Sequence, residues 1–305
     1  MYLSRVRRRL AQLAAHLVVA LIALVVIGGA TRVMEAGLAC PDWPLCYGSL
    51  LPGRQMNVQV FLEWFHRLDA FVVGVALLVQ LGAVLFWRSQ LPGWLPWFCA
   101  GLVALVLLQG ALGALTVLQL LPSGVVTAHL ALALTLVAAL SGLSQRLLSS
   151  SDMASPLWWR LMGGASLLAV TAQCLLGGRM ATAWAAQRCL HGGEACQWLQ
   201  LHRISATPVA VCLLIFVCTA LLVGGWPRRQ WPFLISVLAL VVTQIGLGFL
   251  TLQLGFSQPV VTVGHQLVAA LLVALLAALS FRSPEGSNLS LSAVGDASSM
   301  EPCHG

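Results

Sequence analysis

The chain has 305 residues, of which 59% are hydrophobic and 8% are charged, whereas a typical soluble domain carries about 25% charged residues. This composition excludes an ordinary water-soluble protein. The net charge of +7 comes from 16 basic residues, all of them arginine and most of them beside apolar stretches, so it is typical of membrane topology signals and argues against nucleic-acid binding.

Eight apolar stretches, each long enough to cross the hydrocarbon core of a bilayer, predict an all-α integral membrane protein. They lie at approximately 10–30, 60–87, 96–118, 124–147, 157–178, 200–224, 231–253 and 259–281. The Ser-rich segment 149–156 divides the chain into two halves, 1–148 and 157–282. The polar tail 283–305 is predicted to be disordered.

The first stretch could be a signal peptide, because an Arg-rich segment precedes it. Its length of about 20 residues and the lack of a small-residue cleavage site favour an uncleaved membrane anchor instead. With the N-terminus inside, ten arginines fall on the cytoplasmic side and four on the opposite side. The positive-inside rule therefore predicts that both termini are cytoplasmic.

The second half repeats the first. The matched features, at offsets of 135 or 136 residues, are His66-Arg67 with His202-Arg203, His129 with His265, and Gln109–Thr116 with Gln244–Thr251. Because each unit has an even number of spans, the two units keep the same orientation. The sequence therefore predicts two tandem four-helix bundles related by a pseudo-two-fold axis along the membrane normal.

The repeated histidines are candidate haem ligands. His66, His129, His202 and His265 all lie near the outer ends of spans that run in the same direction. Two histidines at matched depth in one bundle can supply both axial ligands of a haem iron. The alternative for a single histidine is a hydrogen bond to a neighbouring helix, but the duplicated pattern favours ligation. A zinc or copper site would need further ligands.

The two halves differ in their acidic residues. Glu63 lies three residues before His66 and Asp69 three after it, whereas the equivalents in the second half are Leu199 and Ser205. The i,i+3 spacing places Glu63 on the face of His66, so we expect a carboxylate beside the first haem only, where it can move protons or stabilise positive charge. A salt bridge or a favourable interaction with the helix dipole is the alternative. The case for a chemical role of Asp69, which lies deeper in the span, is weaker.

The arginine after the first histidine of each pair could bind haem propionates. Arg67 and Arg203 occupy these two positions, and a guanidinium forms charge-assisted hydrogen bonds with carboxylates. Interfacial snorkelling is the alternative for both arginines. For Arg67 an i,i+4 pair with Glu63 is a second alternative.

Two cysteine pairs lie in equivalent outer loops. Cys40 and Cys46 follow the first span, and Cys189 and Cys196 precede the sixth. Both pairs face the oxidising side in the predicted topology, which favours the disulfides Cys40–Cys46 and Cys189–Cys196. Free or metal-binding thiols remain the alternative, and a disulfide in a short exposed loop can also be redox-active.

Together these motifs resemble the haem A synthase family over residues 10–281. The motifs that carry the resemblance are Gly28-Gly29-Ala30-Thr31-Arg32, the Cys40–Cys46 loop, Glu63-x-x-His66-Arg67, Gln109-Gly110, Thr127-Ala128-His129, Leu201-His202-Arg203 and Gly264-His265-Gln266.

The resemblance implies an oxidoreductase that hydroxylates a methyl group of haem O twice to give the formyl group of haem A. It implies that His202 and His265 hold a haem b cofactor, while His66 and His129 border the substrate haem and Glu63 is the essential carboxylate. A cell-membrane location, a handover of haem O from haem O synthase and an electron donor that the residues do not identify are further expectations.

Two other classes of protein would use parallel repeats. A di-haem b electron-transfer cytochrome linked to quinol could employ the same histidines, but electron transfer alone requires no acid in only one half. A transporter usually breaks its helices at a midplane site, whereas the special residues here lie near the outer surface.

Overall fold

The computed structural model describes residues 5–149, 154–182 and 196–284. Within these ranges, eight helices are long and apolar enough to cross a membrane. They are α1 (Arg5–Val33), α2 (Val58–Phe86), α3 (Leu95–Leu118), α4 (Ser123–Leu148), α5 (Leu157–Thr182), α6 (Cys196–Val223), α7 (Trp231–Gln253) and α8 (Pro259–Phe281). The prediction of an all-α protein with eight candidate membrane spans is confirmed.

The largest difference from the predicted spans is at the start of α1, which begins at Arg5 rather than near residue 10. Apolar periodicity locates the part of a helix that lies in lipid. Arginine and leucine are good helix formers, so the helix continues beyond the apolar stretch. Residues 150–153 of the segment 149–156 and residues 285–305 of the polar tail lie outside the described residues.

The helices pack as two rings of four. In the first half α1 contacts α2 and α4, and α3 contacts α2 and α4; in the second half α5 contacts α6 and α8, and α7 contacts α6 and α8. Between the halves, α1 and α4 both contact α8, and α4 contacts α5. These contacts fit the predicted tandem bundles, while the symmetry axis itself stays a prediction.

Buried polar groups join helices across the core. Ser141 of α4 donates to the carbonyl of Ala274 in α8 at 2.7 Å, and the indole of Trp159 in α5 donates to the carbonyl of Leu279 in α8 at 2.8 Å. Backbone carbonyls inside a helix already accept one hydrogen bond, so these side chains use the second lone pair. The two bonds fix α8 against one helix of each half.

The duplication extends to the backbone of the turns. After α3, Leu120 and Leu121 both have a positive φ, and after α7 the equivalent Gly255 and Phe256 do as well. Each turn also closes with equivalent hydrogen bonds, from Leu121 N to Thr116 O and from Phe256 N to Thr251 O. The left-handed conformation disfavours side chains with a Cβ. Its recurrence at equivalent positions therefore indicates that both halves use the same tight connection.

The loop between α1 and α2 is ordered by a disulfide and by the start of α2. Cys40 and Cys46 are joined and buried together with Val60. Asn57 caps α2, since its side chain accepts a hydrogen bond from the backbone N–H of Val60 at 2.9 Å. The predicted Cys40–Cys46 disulfide is confirmed, whereas Cys189–Cys196 includes a residue outside the described ranges.

Candidate functional site: two histidine pairs

The four repeated histidines lie at similar depth in their helices. His66 is eight residues after the first residue of α2, and His129, His202 and His265 are each six after the first residues of α4, α6 and α8. At 1.5 Å per residue, each lies roughly 9–12 Å from the start of its helix. None of the four side chains is fully exposed.

The second pair faces across a gap. The ring centroids of His202 and His265 are 6.4 Å apart, and the ring planes are inclined by 76°. Two metal–nitrogen bonds of about 2 Å, together with the half-widths of two imidazole rings, span a similar distance. The two side chains therefore fit the axial ligands of one haem iron.

His265 is held by Gln244 of α7. Its Nδ1 lies 3.2 Å from the backbone carbonyl of Gln244, and its Nε2 lies 3.2 Å from the side-chain amide nitrogen of the same residue. A ring N–H donated to a backbone carbonyl orients a ligating histidine and leaves its other nitrogen for the metal. Iron at Nε2 would replace the contact with the amide nitrogen.

The first pair also lies close together. His66 and His129 are near enough to interact electrostatically. In both rings Nδ1 is buried and has no hydrogen-bond partner among the described residues. Buried ring nitrogens of this kind are suited to a ligand, because an unpaired buried polar group is otherwise costly.

Each of the four histidines stands over a glycine of a neighbouring helix. A Cβ placed on that glycine would lie 3.0–3.3 Å from Cε1 of the ring; the pairs are Gly28 with His66, Gly113 with His129, Gly177 with His202, and Gly248 with His265. Such a contact is tighter than ordinary van der Waals packing, so the absence of a side chain makes the room that the ring occupies.

The glycine contacts were not predicted from the sequence, although the signal was present. Gly113 and Gly248 both lie within the matched stretches Gln109–Thr116 and Gln244–Thr251. A glycine repeated in the middle of two predicted helices is unfavourable for helix formation and indicates close packing.

A second set of glycines joins the two halves. A Cβ on Gly29 would clash with the side-chain oxygen of Gln266, and a Cβ on Gly178 would clash with the end of the Leu130 side chain. Gln266 follows His265 in the chain, and Leu130 follows His129. The doublets Gly28-Gly29 and Gly177-Gly178 thus contact a histidine of their own half and the neighbour of a histidine from the other half.

The carboxylate of Glu63 is buried beneath the disulfide loop. The residue is 5% exposed, and its Oε2 accepts a hydrogen bond from the backbone N–H of Cys40 at 2.8 Å. Its Oε1 is paired with the guanidinium of Arg67, one turn further along α2. Both carboxylate oxygens therefore have donors, and the ion pair that the i,i+4 spacing allowed is present.

Arg67 also holds the Cys40–Cys46 loop. Its guanidinium donates to the backbone carbonyls of Cys40, Asp42 and Leu45 as well as to Glu63. A guanidinium has five N–H donors in a fixed plane, so one side chain can hold several carbonyls at once. Propionate binding by Arg67 and by Arg203, which is exposed, stays a prediction.

Asp42 closes the top of the loop. Its carboxylate accepts hydrogen bonds from the backbone N–H groups of Gly48 at 2.7 Å and Tyr47 at 2.6 Å. These bonds, that of Gly48 first, together with the nearby Arg67 guanidinium, hold the pKa of Asp42 below its usual value. The loop is thus tied to itself at Asp42 and to α2 at Glu63 and Arg67.

No group of three or more His, Cys, Asp or Glu side chains that could hold a metal ion occurs within 5–149, 154–182 and 196–284. Two histidine pairs of this kind suit a macrocyclic ligand that supplies its own equatorial nitrogens.

Comparison with known proteins adds the family. A family model described as "COX15-CtaA: Cytochrome oxidase assembly protein" matches residues 11–277. This range includes all eight candidate spans except the first residues of α1 and the last residues of α8. The chain belongs to this family.

The chain is also similar to individual proteins, of which one from Sphingopyxis alaskensis named "Heme A synthase" is 30% identical over 87% of this chain and 89% of its own length. A protein of the same name from Rhizorhabdus wittichii is 28% identical, over 83% of this chain and 88% of the relative. A third, from Shewanella oneidensis, is 35% identical, but the match covers 35% of this chain and 36% of the relative.

Proposed function

We propose that the chain is a haem A synthase, an oxidoreductase that converts a methyl group of haem O by two successive hydroxylations into the formyl group of haem A. The observation that carries the proposal is the combination of two matched histidine pairs with a buried carboxylate that, among the described residues, lies on a histidine-bearing helix of the first half only. The relatives named "Heme A synthase" support the same reaction.

The two halves take different haems in this proposal. The second half, 157–282, holds haem b through His202 and His265, with Arg203 near the propionates. The first half, 1–148, receives haem O between His66 and His129, with Arg67 beside it. When bound, haem b supplies a site for one-electron transfer, and its electrons come from a donor outside this chain.

The chain's own residues prepare the substrate site. The Cys40–Cys46 loop is packed on Val60 and tied down by Glu63 and Arg67, so that Val60 and Glu63 of α2 are buried beside it. Glu63, one turn before His66, holds or moves a proton at its carboxylate or stabilises positive charge that develops on the substrate methyl carbon.

Location follows from the eight spans and the arginine distribution. We place the chain in the cell membrane as a multi-pass protein with both termini in the cytoplasm and the histidines near the outer face. The substrate site lies within a membrane-spanning bundle in this proposal, so a direct handover of haem O from haem O synthase within the bilayer is the simplest supply.

Extraction of the bound haems tests the proposal. The full chain is purified from a host that makes haem O, and its haems are separated by chromatography after acid extraction. We expect haem b together with haem A or its hydroxylated intermediate. Haem b alone, at two per chain, would instead identify a di-haem electron-transfer cytochrome and overturn the proposed reaction.

A further inference from the structure

The surroundings of the two equivalent histidines His202 and His66 differ in hydrogen bonding. On the second side, Gln173 of α5 donates from its amide nitrogen to the backbone carbonyl of His202 at 2.7 Å, and the same nitrogen lies 3.1 Å from Nδ1 of the ring. Ser205 donates from its hydroxyl to the amide oxygen of Gln173 at 2.6 Å. Gln173 and Ser205, here called the His202 frame, therefore fix the turn of α6 that carries the ring.

The first half has the same backbone register but different side chains. Gly28 and Gly177 both face the ring of a histidine, and the residues four positions before them are Leu24 and Gln173. Leu24 is buried and apolar, so it offers the ring of His66 no hydrogen bond. Asp69 occupies the position equivalent to Ser205.

The other histidine of each pair differs in the same direction. Gln109 of α3 and Gln244 of α7 are the same residue type at equivalent positions. Gln244 contacts both ring nitrogens of His265, whereas Nδ1 of His129 has no hydrogen-bond partner among the described residues. Each histidine of the second pair is therefore contacted by a glutamine of a neighbouring helix.

The frame has a direct consequence for how tightly an axial ligand holds its metal. A histidine whose turn of helix is fixed by a neighbour is oriented before the metal arrives, and loss of a partner that orients a ligand typically costs 10–100-fold in metal affinity. An unframed histidine must be ordered by the incoming haem itself, so that binding is weaker and release is faster.

We propose that the His202 frame makes the second site a permanent haem holder, and that its replacement by Leu24 and Asp69 around His66 lets the first site release its haem. Gln173 and Ser205 are thus positioning residues that act through His202. The inference rests on the proposed function, in which the second haem is a resident cofactor whereas the first is a substrate that becomes a product.

Haem capture by apomyoglobin tests the inference without any turnover. The purified full chain is reconstituted with haem b to two per chain and mixed with excess apomyoglobin, and the transfer of haem is followed by absorbance. We expect one haem to leave in a fast phase and one in a slow phase, with the fast phase missing in a His66→Ala variant.

Two reciprocal variants then exchange the surroundings. Gln173→Leu should accelerate the slow phase about 10- to 100-fold and leave the fast phase unchanged. Leu24→Gln combined with Asp69→Ser should slow the fast phase and leave the slow phase unchanged. In each variant, the phase that is expected to stay unchanged serves as the control that the chain is folded.

Several results would overturn the inference: a single phase in the unmodified chain, a Gln173→Leu variant with an unchanged slow phase or with both phases altered alike, or a double variant whose fast phase persists. The capture assay requires no formation of haem A. The haem extraction experiment can therefore contradict the proposed reaction while the capture assay supports the His202 frame, or support the reaction while the capture assay contradicts the frame.

Discussion

At the scale of single residues, Glu63 has two roles that a substitution can separate. Its carboxylate accepts from the Cys40 N–H and pairs with Arg67, so it helps to hold the disulfide loop. It also lies one helical turn from His66, where the proposed reaction needs an acid or base. Leu199, the equivalent residue in the second half, can do neither.

A Glu63→Gln variant retains a side-chain oxygen that can accept from Cys40 but cannot carry charge or shuttle a proton. We expect it to keep haem b at the second site and to lower haem A formation by about 10²–10⁴-fold. Chromatography of extracted haems measures both quantities. Asp69→Asn, which removes a carboxylate from the same helix, is the matched control and should form haem A. Full activity of Glu63→Gln would show that the residue only holds the loop.

The depressed pKa of Asp42 predicts how the loop responds to acid. Because the folded carboxyl has a lower pKa than the unfolded one, its contribution to loop stability is present above the unfolded value and is lost as the pH falls through the folded value. Reduction of Cys40–Cys46 by a phosphine should therefore accelerate only below the ordinary carboxyl range, as followed by mass spectrometry. Asp42→Asn should show no such step, and a pH profile identical to that of the unmodified chain would assign the step to another group.

At the scale of helices, the glycines on α1, α3, α5 and α7 determine where the histidine rings lie. In each case the ring occupies the space that a side chain on the facing helix would fill. Glycine weakens a helix by roughly 0.5–1 kcal/mol relative to alanine in soluble proteins. At these four positions that cost is offset because the missing side chain lets the histidine ring pack closely against the facing helix.

Two alanine substitutions on α5 separate this effect from a general effect on the helix. A Cβ on Gly177 would lie 3.0 Å from the His202 ring, whereas a Cβ on Gly164 would meet nothing within 4 Å. We expect Gly177→Ala to displace the ring and to lower the haem content of the second site, measured by haem absorbance per chain. Gly164→Ala should retain haem. Equal haem content in both variants would contradict the proposed packing.

At the scale of the whole molecule, the number and order of helices follow from the sequence, because eight apolar stretches and a repeat of 135 or 136 residues leave few alternatives. The four histidines were also selected by that repeat, and the structure places His202 opposite His265. These features are encoded in spacing and composition, which a single sequence displays directly.

Contacts between distant segments could not be predicted in this way. Nothing in the spacing showed that Arg67 would bind three carbonyls of the loop that precedes it, or that Gln173 would reach His202. Such contacts depend on which faces of two helices meet. Helix periodicity defines an apolar face but does not define its partner.

The glycine doublets described above place part of each half against the residue that follows a histidine of the other half. Gly29, beside the glycine that seats His66, receives the residue that follows His265, and Gly178 receives the residue that follows His129. A larger side chain at Gly29 or Gly178 would therefore require a change in the helix of the other half that the glycine contacts. The two halves therefore cannot change independently at this interface, even though their proposed chemistry differs.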